Sequence, residues 1–282
     1  MVYVHNSSSI YHSEEDPFDV KAAWKAIEPK TIRRTDRFIQ LALLGAYQAV
    51  DHLELPKETG LYMASGQGNL AVFKRLRDQR YIQKQPPKPV DFINSLSNTS
   101  GFYVAQYLKI EGKNINISRL GFCIETLLLL AEVDLEASVE RQILVGGVDE
   151  LQTPLPFTRK TLGICEERAL GEGSGWMLLS KERSGALAVI KSERREMDLD
   201  ELLLYLQDME SSVSILCGQR MEDEVAVIQA HSRTAEVLKN EESFYETALL
   251  GAIHDFIENA AGSRLFIDTY DGRYRVVKVD IL

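Results

Sequence analysis

Residues 112–147 read GKNINISRLGFCIETLLLLAEVDLEASVERQILVGG, and this stretch decides the fold class. Asn114-Ile115-Asn116-Ile117-Ser118 alternates polar and apolar side chains, the period of two that marks a strand. From Cys123 to about Val139 the chain is strongly apolar and of helical length. Arg141–Val145 is a second short strand, stopped by Gly146-Gly147. Strand, helix and strand in that order form a βαβ unit, so an α/β protein with parallel strands and helices on both faces is expected.

The pattern extends in both directions. Upstream, a helical pattern starts at Thr31, with Ile39, Leu41, Leu43, Leu44, Tyr47 and Val50 near the 3.6 period. Glu58–Ala64 reads as a buried strand ending in Ser65-Gly66-Gln67-Gly68-Asn69, with a helix over Leu70–Arg80. Prolines in Gln83–Pro89 mark a surface loop, and Ser97-Asn98-Thr99-Ser100 suits the cap of a helix over Gly101–Lys109. Downstream come strands Gly175–Ser180 and Leu187–Lys191, a helix Asp198–Glu210, a strand Ser212–Cys217 and a helix of about Phe244–Ala260. Strands Leu265–Thr269 and Tyr274–Asp280 close the chain, with Asp271-Gly272 a hairpin signal between them. The charge-rich stretch Lys191–Glu210 is the expected connector, dividing residues 1–190 from a shorter half, 191–282.

Composition bounds the class. The chain has 282 residues, 45% hydrophobic and 26% charged, enough for a sizeable core. A formal charge of −10 argues against nucleic acid, and the cluster Arg33, Arg34, Arg37 is too small to reverse that. The apolar run Thr126–Ala131 is far too short to span a membrane, and Met1–Asp16 has no basic or apolar region of a secretory leader. Three widely spaced cysteines (Cys123, Cys165, Cys217) suit a reducing cytoplasm. No histidine pairs with another His or Cys at ligand spacing, so neither metal nor cofactor is expected.

Two glycine-rich stretches invite a phosphate reading. Ser65-Gly66-Gln67-Gly68-Asn69 lacks the third glycine of a dinucleotide fingerprint and the Gly-Lys-Ser/Thr of a P-loop, so it reads as a strand-to-helix turn. Gly171-Glu172-Gly173-Ser174-Gly175 precedes an apolar strand, and backbone crowding accounts for it. Cys123 opens a helix, a position that can activate a thiol; the competing reading is a small buried core residue.

Several segments in order resemble the β-ketoacyl synthase family of the thiolase fold. Arg33-Arg34-Thr35-Asp36-Arg37-Phe38-Ile39-Gln40-Leu41-Ala42 is similar to a helix start of those condensing enzymes, and Thr59-Gly60-Leu61 through Gly68 to their first core strand and turn. Gly112–Ser118 and Ile143–Glu150 resemble the strands flanking their nucleophile helix, and Gly171–Leu179 resembles their "G-E-G-A-G" strand. The resemblance covers roughly Thr31 to Lys191 and implies a layered α/β/α/β/α fold with a shortened C-terminal half.

At the catalytic positions the chain departs from the family. Counting from Gly112 and back from Gly146-Gly147 places Gly121 where the nucleophilic cysteine stands, and Cys123 is two residues off, on another side of the helix. The two histidine positions fall on Gly218 and Ala248, and the lysine position on Ser243. The resemblance therefore implies a nucleophile-free subunit of the chain-length-factor kind, found in type II polyketide and aryl polyene systems. Such a subunit pairs with an active ketosynthase and reaches acyl carrier protein through the complex.

In the family, the strand before the nucleophile pairs across the dimer two-fold; here that is Asn114, Ile115, Asn116, Ile117 and Ser118. The loop that reaches the partner's acyl tunnel corresponds to Asn98, Thr99, Ser100, Gly101 and Phe102. Phe102 and Phe122 are the candidate side chains bounding that tunnel. The alternative is a stand-alone acyltransferase or thioesterase with Cys123 as nucleophile and His231 or His254 as base.

Overall fold

The computed structural model describes residues 1–30, 33–233 and 236–282; Thr31, where the helical pattern was expected to start, lies outside them. Its elements begin with β1 (Val2–Ser13), α1 (Val20–Ile27), α2 (Arg37–Val50), β2 (Gly60–Ser65), α3 (Leu70–Arg77), α4 (Pro89–Asn94) and α5 (Thr99–Leu108). Next come β3 (Asn114–Ser118), α6 (Cys123–Glu136) and β4 (Gln142–Asp149), then α7 (Leu155–Leu162), β5 (Gly171–Ser180) and β6 (Ala188–Ser192). The chain ends with α8 (Leu199–Gln207), β7 (Val213–Cys217), α9 (Glu224–His231), β8 (Val237–Lys239), α10 (Ala248–Asn259), β9 (Ser263–Tyr270) and β10 (Arg273–Ile281).

The strands form one sheet in the order β3-β2-β4-β5-β1-β6-β10-β9-β7-β8. β2 runs parallel to β3 and β4, and β7 parallel to β8 and β9, as crossover connections require. The centre corrects the expectation of a parallel sheet: β4–β5, β5–β1, β1–β6, β6–β10 and β10–β9 are all antiparallel. The cause is β1, which inserts between β5 and β6 and which no hydrophobic period announced. Its sequence VYVHNSSSIYHS is polar because helices pack closely on both faces, and its small side chains are satisfied locally. Ser8 Oγ donates to Gly45 O (2.9 Å), Asn6 Nδ2 to Ala49 O (2.6 Å), and Ser7 Oγ meets His254 Nδ1 (2.9 Å). The division expected at 190/191 falls inside β6, which pairs with β1 on one side and β10 on the other.

Strand faces alternate into three cores, and these define the layers. Leu61, Met63, Leu144, Val148, Trp176 and Leu178 face α1, α2 and α5. Tyr62, Ala64, Ile143, Val145, Met177 and Leu179 face α6 and α10, whose other side meets Phe266, Val277 and Val279 of β9 and β10. Leu265, Ile267, Tyr274 and Val276 face α8 and α9. Helices, half-sheet, helices, half-sheet and helices form the α/β/α/β/α stack expected from the sequence.

Local differences have local causes. β4 runs on to Asp149 through Gly146-Gly147 rather than ending there, because the Trp176 ring lies against Gly146 and leaves no room for a side chain. The crowding at Gly173 and Gly175 comes from Tyr245 and Leu250, the latter on α10, rather than from a neighbouring strand. α5 starts at Thr99, two residues before the expected Gly101, so Thr99, Ser100, Gly101 and Phe102 form its first turn and not a loop. Its hydroxyls do not cap it: Thr99 Oγ1 donates to Ile93 O (2.7 Å) and Ser100 Oγ to Ser97 O (3.0 Å). Asp271 and Gly272 both have positive φ, the geometry of the expected two-residue hairpin.

Candidate functional site

Gly121 stands in the turn between β3 and α6 with φ +66, followed by Phe122 at φ +50. Two successive left-handed residues aim the start of α6 into the centre of the molecule, and the first must be glycine for a second reason as well. A Cβ built on Gly121 would fall within the ring of Tyr270. The Gly121 N–H donates to Glu246 Oε2 at 3.2 Å, and Glu246 is paired with Arg220, with only 3% and 14% of those side chains exposed. The Arg220 guanidinium lies over the rings of Phe244 (4.6 Å) and Tyr270 (5.4 Å).

Gly218 directly follows β7, where a Cβ would run into the Asp268 carboxylate. Ala248 opens α10. Gly218, Ala248, Arg220, Glu246 and Asp268 line one cavity of about 30 Å³, room for a water or two and for nothing of acyl size. The fold thus gathers Gly121, Gly218 and Ala248, three of the four expected catalytic positions, around one buried charge cluster. Ser243 is outside that lining; its N–H donates to Tyr11 Oη (2.9 Å) near the start of β5.

The cluster is what sequence reasoning missed. Asp149 accepts from Ser65 Oγ (2.9 Å), Gly66 N (2.8 Å) and Thr247 N (2.9 Å), tying β2, β4 and the start of α10 together. Burial and the Glu246 charge push its carboxyl up to about 7. Burial and Asp268 push Glu125 up to about 8, and burial pushes Asp268 up to about 6 against the pull of Arg220. The available signal was an acid inside otherwise apolar segments: Asp149 ending ILVGGVD, Glu125 in CIETLLLL, Asp268 in LFIDTY.

Cys123 is 1% exposed, with its Sγ against Glu246 O at 3.5 Å. Burial first, then Asp149 and Glu246, raise its thiol well above the usual range, the reverse of an activated nucleophile. His231 Nδ1 bonds Val227 O (2.8 Å) and His254 Nδ1 meets Ser7 Oγ, so neither bonds the thiol. Among the described residues no group of His, Cys, Asp and Glu could hold a metal, and no helix is long and apolar enough to cross a membrane.

The remaining candidates other than Phe122 lie on β3 and at the start of α5. β3 is the edge strand, bonded only to β2, with its outer side uncovered. α5 packs on β3 and α4 on α5, and together they expose Phe92 (61%), Ile93 (55%), Leu96 (51%) and Phe102 (58%). Asn98 precedes α5, and Asn114 and Asn116 bond each other on β3 (2.7 Å). Phe122 is buried, ring to ring with Tyr270 (centroids 6.3 Å apart).

This is the fold of the ketosynthases and chain-length factors. No family model matches the chain, and no curated relative does. Among solved structures it is similar to the ishigamide ketosynthase/chain length factor, with TM-score 0.79 and 14% identity over 100% of this chain and 99% of that one. It is similar also to AntDE:AntF, a type II polyketide synthase acyl-carrier protein in complex with its ketosynthase (TM-score 0.74, 13% identity, 100% and 99% covered). A third is the ketosynthase ApeO in complex with its chain length factor ApeC from Xenorhabdus doucetiae (TM-score 0.54, 12% identity, 98% of each chain).

Proposed function

We propose that this chain is a non-catalytic, chain-length-factor-like subunit that heterodimerises with an active β-ketoacyl-ACP synthase and helps shape its acyl tunnel. The observation that carries the proposal is Gly121: at the nucleophile position the backbone is left-handed and the space for a side chain is filled by Tyr270. Gly218 and Ala248 add no acid, base or oxyanion donor, and the charges around them are locked to one another. The uncovered β3 edge and the exposed Phe92, Ile93, Leu96 and Phe102 support a partner on that face, since such an edge is a liability in a free monomer. Two of the similar structures are described as ketosynthases with chain length factors and one as holding an acyl-carrier protein, which supports a synthase partner and carrier contact through the complex. Three free thiols suit a cytoplasmic setting.

Intact-mass analysis after incubating the complex with an acyl thioester tests the assignment. The acyl adduct is expected on the partner and none on this chain. An adduct on Cys123 would contradict the assignment and favour the stand-alone acyltransferase.

A further inference from the structure

We propose that Tyr270 is a fixed plug that shuts the pocket over Gly121, so that this subunit cannot receive an acyl group. Its purpose rests on the partner-subunit reading; its existence rests on geometry alone. Tyr270 ends β9 directly before the Asp271-Gly272 turn, whose two left-handed residues fix the direction in which the ring leaves the strand. The ring packs edge-on against Phe122, at an interplanar angle of 73°. It also lies under the Arg220 guanidinium, which covers Phe244 as well. Arg275 lies over Phe122 at 5.9 Å, so cations and rings form one chain of contacts through Arg275, Phe122, Tyr270, Arg220 and Phe244. Glu246 pairs with Arg220 and accepts the Gly121 N–H, so one carboxylate holds both the seat of the plug and the residue being plugged.

Two spaces meet at Arg220, the cation over the plug. Outside is an open cleft of about 430 Å³, walled by Tyr270, Arg220, Thr269 and Cys165 among others. Inside is the cavity of about 30 Å³ beside Gly218, Ala248 and Asp268, which Arg220 also lines. Gln219 and Arg220 line both, so the guanidinium that covers the Tyr270 ring stands between them. A ring held by the Arg220 guanidinium and by the edge contact with Phe122 is a wall rather than a swinging lid, and it occupies the volume that a side chain at position 121 would need.

A pair of glycines provides the test. Gly121 (φ +66) and Gly163 (φ +70) would carry the same left-handed strain as alanine, but a Cβ on Gly163 meets nothing within 4 Å. Gly121→Ala is therefore expected to lower Tm by at least about 5 °C more than Gly163→Ala. In a Tyr270→Gly background that excess disappears, because the colliding ring is gone. p-Cresol, which matches the missing side chain, is expected to raise the Tm of Tyr270→Gly by about 3 °C at ten times its Kd. Wild type and Tyr270→Phe stay unmoved by it. Equal costs for the two alanines in wild type, additive costs in the double variant, a p-cresol response in wild type, or none in folded Tyr270→Gly would each overturn the plug. If Tyr270→Gly does not fold, the glycine pair decides alone. Failure to find a synthase partner would sink the partner reading and leave these melts unchanged.

Discussion

Arg220 and Glu246 illustrate how single residues set the character of the site. Each is a buried charge whose only adequate compensation is the other, and removing one partner of such a pair is far costlier than replacing both. Arg220→Met is expected to lower stability by about 3–5 kcal/mol in urea unfolding, with the Arg220→Met/Glu246→Leu double variant recovering most of it. A double variant no better than the single would show that the pair is not the unit. The raised carboxyls give a pH dependence whose sign is fixed. Glu125 and Asp149 hold their protons longer folded, up to about 8 and about 7, than an unfolded carboxyl does. Their contribution is present in full below the ordinary carboxylate range and is lost as pH rises through those folded values. Tm is therefore expected to fall between pH 5.5 and 8.5, and Glu125→Gln to reduce the fall. An unchanged slope in Glu125→Gln would exclude Glu125 as a source. Cys123→Ala is expected to leave the complex's condensing rate unchanged, since a buried thiol above its usual range does no nucleophilic work.

At the scale of elements, the legible parts were those with a strong period or strong punctuation: β3, α6, β7, α10 and the β9–β10 hairpin lie within a few residues of their expected bounds. β1 was illegible because a strand packed by helices on both sides uses Asn6, Ser7 and Ser8, bonded to Ala49 O, His254 and Gly45 O, and no apolar alternation results. α9 (EVAVIQAH) buries only Ile228, so it had no stripe to find. In the site, the positions Gly121, Gly218 and Ala248 were legible in the sequence. What fills them was not, because Arg220, Glu246, Asp268 and Tyr270 converge only through the order of the sheet. The face formed by α4, α5 and the β3 edge yields its own prediction. Phe92→Glu/Phe102→Glu changes side chains that are mostly exposed, so the free chain is expected to lose no more than about 1 kcal/mol while complex formation is abolished in gel filtration. Retention of the complex would place the interface elsewhere.

As a whole molecule, the chain keeps the five-layer scaffold of a condensing enzyme. Its three cores are intact, and the space beside Gly121 is filled by the Tyr270 ring. On the proposed subunit reading the asset of the molecule is its surface: the β3 sheet edge beside α5, with Phe92 and Phe102 exposed on α4 and α5. The central claim is the partner. The most direct measurement is affinity purification of the tagged chain from its native cells, with mass spectrometry of what comes with it. The account predicts a stoichiometric ketosynthase carrying an intact Cys-His-His set. A lone homodimer that takes acyl label on Cys123 would contradict it.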